Sequence, residues 1–332
     1  MIPNPSELSV CPGTLAPGHS TYSRACLKRM FGGKKVPHIV GFPAPALQAY
    51  SQDSRSRFSI SGVQEKFSIV LENNRLRPAK EGEQGMYIIK PIPLVGKKTD
   101  QLPVNEHLTM QIARQVFGIE TAENALVFFP DGQPAYLTKR FDLREDQPGL
   151  HGKYAKWATE DFASLAGRTP STHGAHYKYE GNYLEMFFLL RQYLPTYSFE
   201  SLNLFKILLF NYLFSNGDAH FKNFSIIETP LGDFKLSPAY DLLNSRIHVE
   251  DSDFALEDGL LPRSLAKGKV AQQFFLLAEH AEIPAASAQK IFHDMRSHSD
   301  AVLALVHHSF LDLHSQRAYI QTYQTRLKKL TR

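Results

Sequence analysis

Four side chains that could do chemistry together are Asp218, Lys222 and Asn223, which share one short segment, and Asp241, eighteen residues after Asn223. A loop aspartate can accept the proton of an attacking hydroxyl, while an asparagine and a second aspartate can hold Mg²⁺ against phosphate oxygens. Mg²⁺ needs only one or two carboxylates when phosphates and waters complete its shell. The order of these side chains therefore predicts a phosphoryl-transfer site, although Asp218 by itself also fits a polar turn.

The elements around these side chains can be predicted from the same region. Residues 202–214 are apolar on almost every side, which predicts a buried helix ending just before the charged segment. Residues 224–228 and 234–237 predict a β hairpin with Gly232 in its turn, and Asp241 follows the second strand. A base, an amide and a second acid placed in this way are the arrangement that protein-kinase-like enzymes use.

Length and composition limit the class of protein. The 332 residues predict two lobes, and 43% hydrophobic with 21% charged residues is typical of a soluble globular protein. The net charge of +4 permits phosphate binding but does not indicate a nucleic-acid surface. Cys11 and Cys26 match no zinc spacing. No signal sequence and no apolar run of ~20 residues is found, so we expect a cytoplasmic protein.

Three parts are expected along the chain. Residues 1–45 are rich in Pro, Gly and Ser and predict an irregular N-terminal segment that packs on the core. Residues 46–141 hold most of the predicted strands and form the expected N-lobe, and residues 142–332 form a mostly helical C-lobe. The predicted fold class is α+β, with a small sheet-containing N-lobe.

Within the C-lobe, residues 159–168 predict a helix with Thr159 as its N-cap. Residues 173–181 carry two histidines, but their Tyr and Lys content favours a solvated or substrate-facing loop over a metal site. Three further helices are predicted near 268–281, 285–306 and 312–330.

Residues 59–66 combine small and hydroxyl side chains ahead of a predicted strand. Small side chains let backbone N–H groups approach phosphates, so this segment predicts a phosphate-binding loop or a polar β-turn. Ser59 and Ser61 are candidate phosphoryl acceptors, because such a loop would hold them beside the γ-phosphate. Lys90 follows an apolar strand, where it either binds phosphate or extends its ammonium group to water.

A predicted helix over residues 105–119 has Glu106 in its first turn. Glu106 can pair with Lys90 or favour the helix dipole, and we expect the dipole role because kinase-like helices place the pairing acid deeper in the helix. Residues 139–142 follow a predicted hairpin as the crossover between lobes. Adenine would bind the backbone there, with Phe141 as a platform.

Seven motifs together resemble the HipA family of bacterial serine/threonine kinase toxins, in the order of that family. They are SISGVQEK (59–66), MYIIKP (86–91), NEHLTMQIA (105–113), LTKRFD (137–142), EDFASLAG (160–167), NGDAHFKNFS (216–225) and LSPAYDLL (236–243). Longer members carry a further N-terminal subdomain, so the sequence resembles the short, HipT-like branch that lacks it.

The resemblance implies a protein serine/threonine kinase with ATP and Mg²⁺ as cofactors. It implies Asp218 as catalytic base with Lys222 beside it, Asn223 and Asp241 as metal ligands, and self-inactivation by autophosphorylation of Ser59 or Ser61. Lys139 stands where the family often has glutamate, so we expect backbone contacts there. The nucleotide-binding positions that it implies are Ser61, Gly62, Val63, Gln64, Glu65, Lys66, Lys90, Lys139, Arg140, Phe141, His220, Lys222, Asn223, Tyr240 and Asp241.

The resemblance also implies partners. These are a helix-turn-helix (HipB-like) antitoxin that would bring the protein to DNA indirectly, a separate small (HipS-like) subdomain protein, and a protein substrate such as an aminoacyl-tRNA synthetase. Two alternatives stay open: a pseudokinase-like subunit of a repressor complex, and a small-molecule or lipid kinase on the same fold.

Overall fold

The computed structural model describes residues 4–49, 65–148, 154–250 and 252–331. Contacts divide the chain into two compact units. The first comprises Met1–Gln111, Ala122–Lys156 and Leu303–Ala318, and the second comprises Ile112–Thr121, Trp157–Val302 and Tyr319–Arg332.

The first unit is built on a five-stranded sheet in which every pair of neighbours is antiparallel. Its elements are α1 (Arg24–Phe31), α2 (Pro45–Ala49), β1 (Phe67–Glu72), β2 (Arg75–Pro78), β3 (Tyr87–Lys90), α3 (Leu102–Gln115), β4 (Asn124–Phe128), β5 (Pro134–Lys139), β6 (Leu143–Pro148) and β7 (Tyr154–Lys156). The strand order is β2-β1-β3-β5-β4, and β6 and β7 form a separate hairpin. The last four residues of α3 belong to the second unit. The first unit extends past the predicted lobe boundary at Phe141, because the β6–β7 hairpin still belongs to it.

The N-terminal segment contributes to the core of the first unit. Residues such as Tyr22 and Phe31 are buried in one cluster with Ile89 and Leu137 of the central strands. The Tyr22 hydroxyl donates to the carbonyl oxygen of Leu126 at 2.7 Å. Burial of this apolar surface stabilises the segment against the sheet, at roughly 25 cal/mol per Å² removed from water.

The second unit is mostly helical. Its elements are β8 (Thr159–Asp161), α4 (Phe162–Leu165), α5 (Pro170–His173), α6 (Leu184–Tyr193), α7 (Tyr197–Leu213), β9 (Ser225–Glu228), β10 (Phe234–Leu236), α8 (Val270–His280), α9 (Ala285–Arg296), α10 (Ser299–His307) and α11 (Leu313–Leu330). Parts of α10 and α11 belong to the first unit. The predicted buried helix is α7, with eleven buried residues, and the predicted hairpin is β9–β10. Both predictions are confirmed.

Two predictions in this unit are wrong. The predicted helix over 159–168 begins as strand β8, because residues 159–161 pair with β9, and Asp161 rather than Thr159 caps the short α4. The single helix predicted near 285–306 is two helices, α9 and α10, separated at residues 297–298. No helix among the described residues is both long and apolar enough to cross a membrane.

Candidate active site

The loop after α7 carries Asp218 and is held in place by hydrogen bonds to a residue outside it, Ser245. Ser215 opens it with a φ of 55°, a left-handed backbone that is uncommon for residues other than glycine. The Ser245 hydroxyl donates to the Ser215 carbonyl oxygen at 2.9 Å and accepts from the Gly217 N–H at 2.9 Å. Residues 215–221 are buried apart from Asp218, which is half-exposed. The loop is therefore a rigid support that leaves one carboxylate within reach of solvent.

Asn223 and Asp241 are in direct contact. The Asn223 amide Nδ2 lies 3.4 Å from Oδ2 of Asp241, and both side chains are half-exposed. Asp241 has a φ of 55°, and its carbonyl oxygen lies 3.4 Å from Nδ2 of Asn216. Left-handed backbone at a non-glycine residue costs of order 1 kcal/mol and persists where the surroundings impose it, commonly at functional sites.

The donor set of this pair fits Mg²⁺. The Asp241 carboxylate and the Asn223 amide oxygen are hard oxygen ligands, which Mg²⁺ prefers at sites that it completes with phosphates and water. Asn223 Oδ1 accepts the His220 N–H at 3.1 Å, which fixes the amide orientation and leaves a second lone pair. Among the described residues no group of three or more His, Cys, Asp or Glu side chains could hold a metal.

Asp218 has a partner that the sequence did not indicate. The Tyr179 hydroxyl donates to Oδ1 of Asp218 at 2.7 Å, and the Tyr183 hydroxyl donates to the Ala219 carbonyl oxygen at 2.7 Å. Tyr179 belongs to residues 173–181, the loop predicted to be solvated or to face substrate, and Tyr183 lies just beyond that loop, directly before α6. The abundance of Tyr in residues 173–183 was the only available signal.

His220 is 6% exposed, and its Nδ1 has no hydrogen-bond partner among the described residues. Burial and then the nearby Lys178 ammonium lower the pKa of His220 to about 3, so the ring is neutral at physiological pH. A neutral, buried imidazole contributes no positive charge to a phosphate, and its predicted contact with nucleotide stays a prediction.

Lys222 and Tyr240 connect the loop to its neighbours. The Lys222 ammonium donates to Oδ2 of Asp161 at 2.9 Å, so Asp161 both caps α4 and forms an ion pair. The Tyr240 hydroxyl lies 2.6 Å from the Ser225 hydroxyl and donates to the Lys222 carbonyl oxygen at 3.0 Å. These contacts hold the loop against β8 and β9, and the predicted catalytic role of Lys222 stays a prediction.

In the first unit, Lys90 and Glu106 form a buried ion pair. Nζ of Lys90 lies 2.6 Å from Oε1 of Glu106, with the side chains 5% and 2% exposed. Nζ also lies 5.3 Å from the centre of the Tyr136 ring. We expected Glu106 to interact with the helix dipole rather than with Lys90, and this expectation is wrong. Helix α3 begins at Leu102, so Glu106 lies in its second turn.

Two backbone N–H groups of the predicted adenine hinge already donate hydrogen bonds to carbonyl oxygens of the first unit. The Lys139 N–H donates to the Glu123 carbonyl oxygen at 2.8 Å, and the Arg140 N–H donates to that of Met86 at 2.9 Å. Neither N–H can serve as an adenine donor while these bonds are made. Glu65 and Lys66 are exposed just before β1. The remaining phosphate-loop positions, Ser59, Ser61, Gly62, Val63 and Gln64, lie outside the described residues.

Comparisons of sequence agree with the motifs. The family model described as HipA-like C-terminal domain matches residues 58–303. A putative kinase of Haemophilus influenzae is 26% identical over 229 residues, 68% of this chain and 64% of that protein. The serine/threonine-protein kinase toxin HipA of Shewanella oneidensis is 26% identical over 224 residues, 64% of this chain and 50% of that protein. The chain thus spans between half and two thirds of the length of these relatives.

Two solved structures have the same fold. A chain from the complex of HipA, HipB and operator DNA of Shewanella oneidensis matches with a TM-score of 0.61 and 22% identity, over 84% of this chain and 65% of that one. The Helicobacter pylori proinflammatory kinase CtkA matches with a TM-score of 0.52 and 12% identity, over 79% of this chain and 90% of that one. The predicted α+β kinase-like fold is confirmed, and the protein belongs to the family of the HipA-like C-terminal domain.

Proposed function

We propose that the protein is a serine/threonine kinase that transfers the γ-phosphoryl group of ATP to a protein hydroxyl. The observation that carries this proposal is the contact of Asn223 with Asp241, beside the loop that presents Asp218. The backbone of Asp241 is in the left-handed region, which is strained for a residue other than glycine. Relatives that are named as kinases support it.

In this proposal, Asp218 accepts the proton of the attacking hydroxyl. Tyr179 holds one oxygen of that carboxylate, which restricts its orientation before the substrate arrives. Asn223 and Asp241 would hold Mg²⁺, which would neutralise the negative charge of the phosphate groups. Lys90, positioned by Glu106, supplies positive charge to the phosphates.

We further propose that the protein acts as a toxin. The HipA name of one relative and the HipA, HipB and operator DNA complex of a structural neighbour support a helix-turn-helix antitoxin as partner. The expected substrate is a translation component such as an aminoacyl-tRNA synthetase. A HipS-like small protein and autophosphorylation of Ser59 or Ser61 complete the proposal. About two negative charges on either serine would repel ATP phosphates.

The test uses purified protein, labelled ATP and Mg²⁺, with and without a cell lysate. We expect label on the protein itself and on one lysate protein, and loss of both in Asp218→Asn. A matched control is Asp300→Asn, which removes an exposed carboxylate at the start of α10 and should keep full transfer. ATP binding with no transfer to any protein would overturn the kinase proposal in favour of a pseudokinase-like subunit. Label only on a small molecule would overturn the protein substrate.

A further inference from the structure

Helix α11 contacts the first residue of the Asp218 loop, residues 215–221. The second half of α11, from Tyr319 onward, belongs to the second unit, and Arg326 in this half is only 1% exposed. Nε of Arg326 donates to the Ser215 hydroxyl oxygen at 3.3 Å, and its Cζ lies 4.6 Å from the centre of the Tyr212 ring. Arginine is almost never fully buried unless it is paired, so this position calls for a role.

The charge of Arg326 is balanced by Asp253. Nη1 of Arg326 lies 2.6 Å from Oδ2 of Asp253, and Nζ of Lys329, on the same helix, lies 3.2 Å from that oxygen. The other oxygen, Oδ1, lies 2.9 Å from Nη2 of Arg246. A planar guanidinium group that is fixed at one nitrogen by a carboxylate keeps its other N–H groups in a set direction. Asp253 therefore orients the Nε–H of Arg326 towards Ser215.

The segment that carries Ser245 is also tied to α11. Nδ2 of Asn244 donates to the Thr322 hydroxyl at 2.7 Å, and Thr322 lies one turn before Arg326. The next residue, Ser245, donates its hydroxyl to the Ser215 carbonyl oxygen. Ser215 is thus held at its carbonyl oxygen and at its hydroxyl, and both holding residues are connected to one helix.

Ser215 is the residue at which such support matters most. Its φ of 55° is a left-handed backbone, which persists at a residue other than glycine where the surrounding contacts impose it. A change of the backbone angles at Ser215 would redirect the chain that follows it, and Asp218 is only three residues further on.

We propose that Arg326 is a positioning residue for Asp218, which it orients through the hydroxyl of Ser215. This inference rests on the proposed function. The guanidinium group is buried against Tyr212 and Asp253, so it acts on the loop rather than on the substrate. Loss of Arg326 should therefore lower turnover and leave ATP affinity unchanged.

The first experiment measures backbone hydrogen exchange by mass spectrometry and needs no kinase activity. In Arg326→Gln, we expect peptides of residues 215–221 to exchange several-fold faster than in wild type, whereas peptides of α8 keep their rate. Lys328→Gln, which removes an exposed cation from the same helix, should change neither. Unchanged exchange in residues 215–221 contradicts the proposal. Equal acceleration of the loop and of α8 assigns Arg326 to general stability and also contradicts it.

A second variant covers the case in which loss of a buried arginine prevents folding. Ser215→Ala removes only the hydroxyl that accepts from Arg326. It should also accelerate exchange in residues 215–221, and an unchanged rate there refutes the positioning of the loop through this hydroxyl.

The second experiment measures phosphoryl transfer. We expect Arg326→Gln and Ser215→Ala each to lower kcat by about tenfold with KM for ATP unchanged, because a small misplacement of the base is costly. Arg326→Lys keeps the charge without the planar donor group and should lie between wild type and Arg326→Gln. The double variant should be no slower than Arg326→Gln, since both changes remove the same hydrogen bond.

Losses that multiply in the double variant refute the route through Ser215. A raised KM for ATP with unchanged kcat contradicts the positioning role. Absence of transfer in wild type overturns the proposed function instead, and hydrogen exchange still decides whether Arg326 holds the Asp218 loop.

Discussion

Nζ of Lys90, in strand β3, lies 2.6 Å from Oε1 of Glu106, in helix α3, although the two residues are sixteen positions apart in the sequence. Both side chains are almost completely buried. In such a setting, each charge makes the other tolerable, because a lone ionised group in the interior loses its hydration without compensation.

Loss of Glu106 should therefore be costly. We expect Glu106→Ala to lower the free energy of unfolding by about 3–5 kcal/mol, because the buried Lys90 ammonium loses the carboxylate that balances its charge. Urea unfolding measures this change. The double variant Lys90→Met with Glu106→Leu should recover most of the stability while it still fails to bind ATP. A double variant as unstable as Glu106→Ala would contradict the explanation.

The backbone of Asp241 allows strain to be separated from ligand chemistry. We expect Asp241→Gly to be more stable than Asp241→Ala by about 1 kcal/mol, because glycine adopts a φ of 55° without the Cβ penalty. Both variants should lose Mg²⁺-dependent phosphoryl transfer, since neither carries a carboxylate. Thermal unfolding and a transfer assay test the two statements separately. Full transfer in the glycine variant would show that Asp241 is not a metal ligand.

Tyr179 should affect turnover rather than nucleotide affinity. Tyr179→Phe removes the hydroxyl that donates to Asp218, a charged acceptor for which a hydrogen bond contributes about 1.5–3 kcal/mol. We expect kcat to fall about tenfold or more, with KM for ATP unchanged. Tyr177→Phe is the matched control, because Tyr177 is a half-buried tyrosine two residues away. Equal kcat in the two variants would remove Tyr179 from the site.

Two buried histidines predict a pH dependence of stability. Burial lowers the pKa of His107 to about 4, and burial with the Lys178 charge lowers that of His220 to about 3. The unfolded chain binds a proton at each ring below about pH 6.5, whereas the folded chain does not, so stability falls as the pH decreases. At pH 5.5 each histidine should cost about 1.4 kcal/mol relative to neutral pH.

Urea unfolding at pH 7.5 and 5.5 measures this loss. His107→Gln should reduce the difference between the two pH values, whereas His280→Gln, at an exposed position, should leave it unchanged. An identical pH dependence in wild type and His107→Gln would contradict a neutral, buried His107.

Much of the local structure could be predicted from the sequence because it depends on neighbouring residues. The largely apolar segment over residues 202–214 predicts a buried helix, and Gly232 between two apolar runs predicts the β9–β10 hairpin. The spacing of Asp218, Asn223 and Asp241, together with the other motifs, was enough to identify the family and the fold. Helix ends were predicted less well, since the start of α3 and the break between α9 and α10 depend on packing.

The side chains that position the site were decided by tertiary structure. Three of its hydrogen bonds join residues that lie 16, 39 and 61 positions apart in the sequence. They are the bonds between Lys90 and Glu106, Tyr179 and Asp218, and Asp161 and Lys222. No periodicity or capping signal connects residues at such distances, because their contact depends on how whole strands, helices and loops pack. The sequence by itself determined which groups could do the chemistry. Only the folded chain decided which neighbouring residues orient those groups and form ion pairs with them.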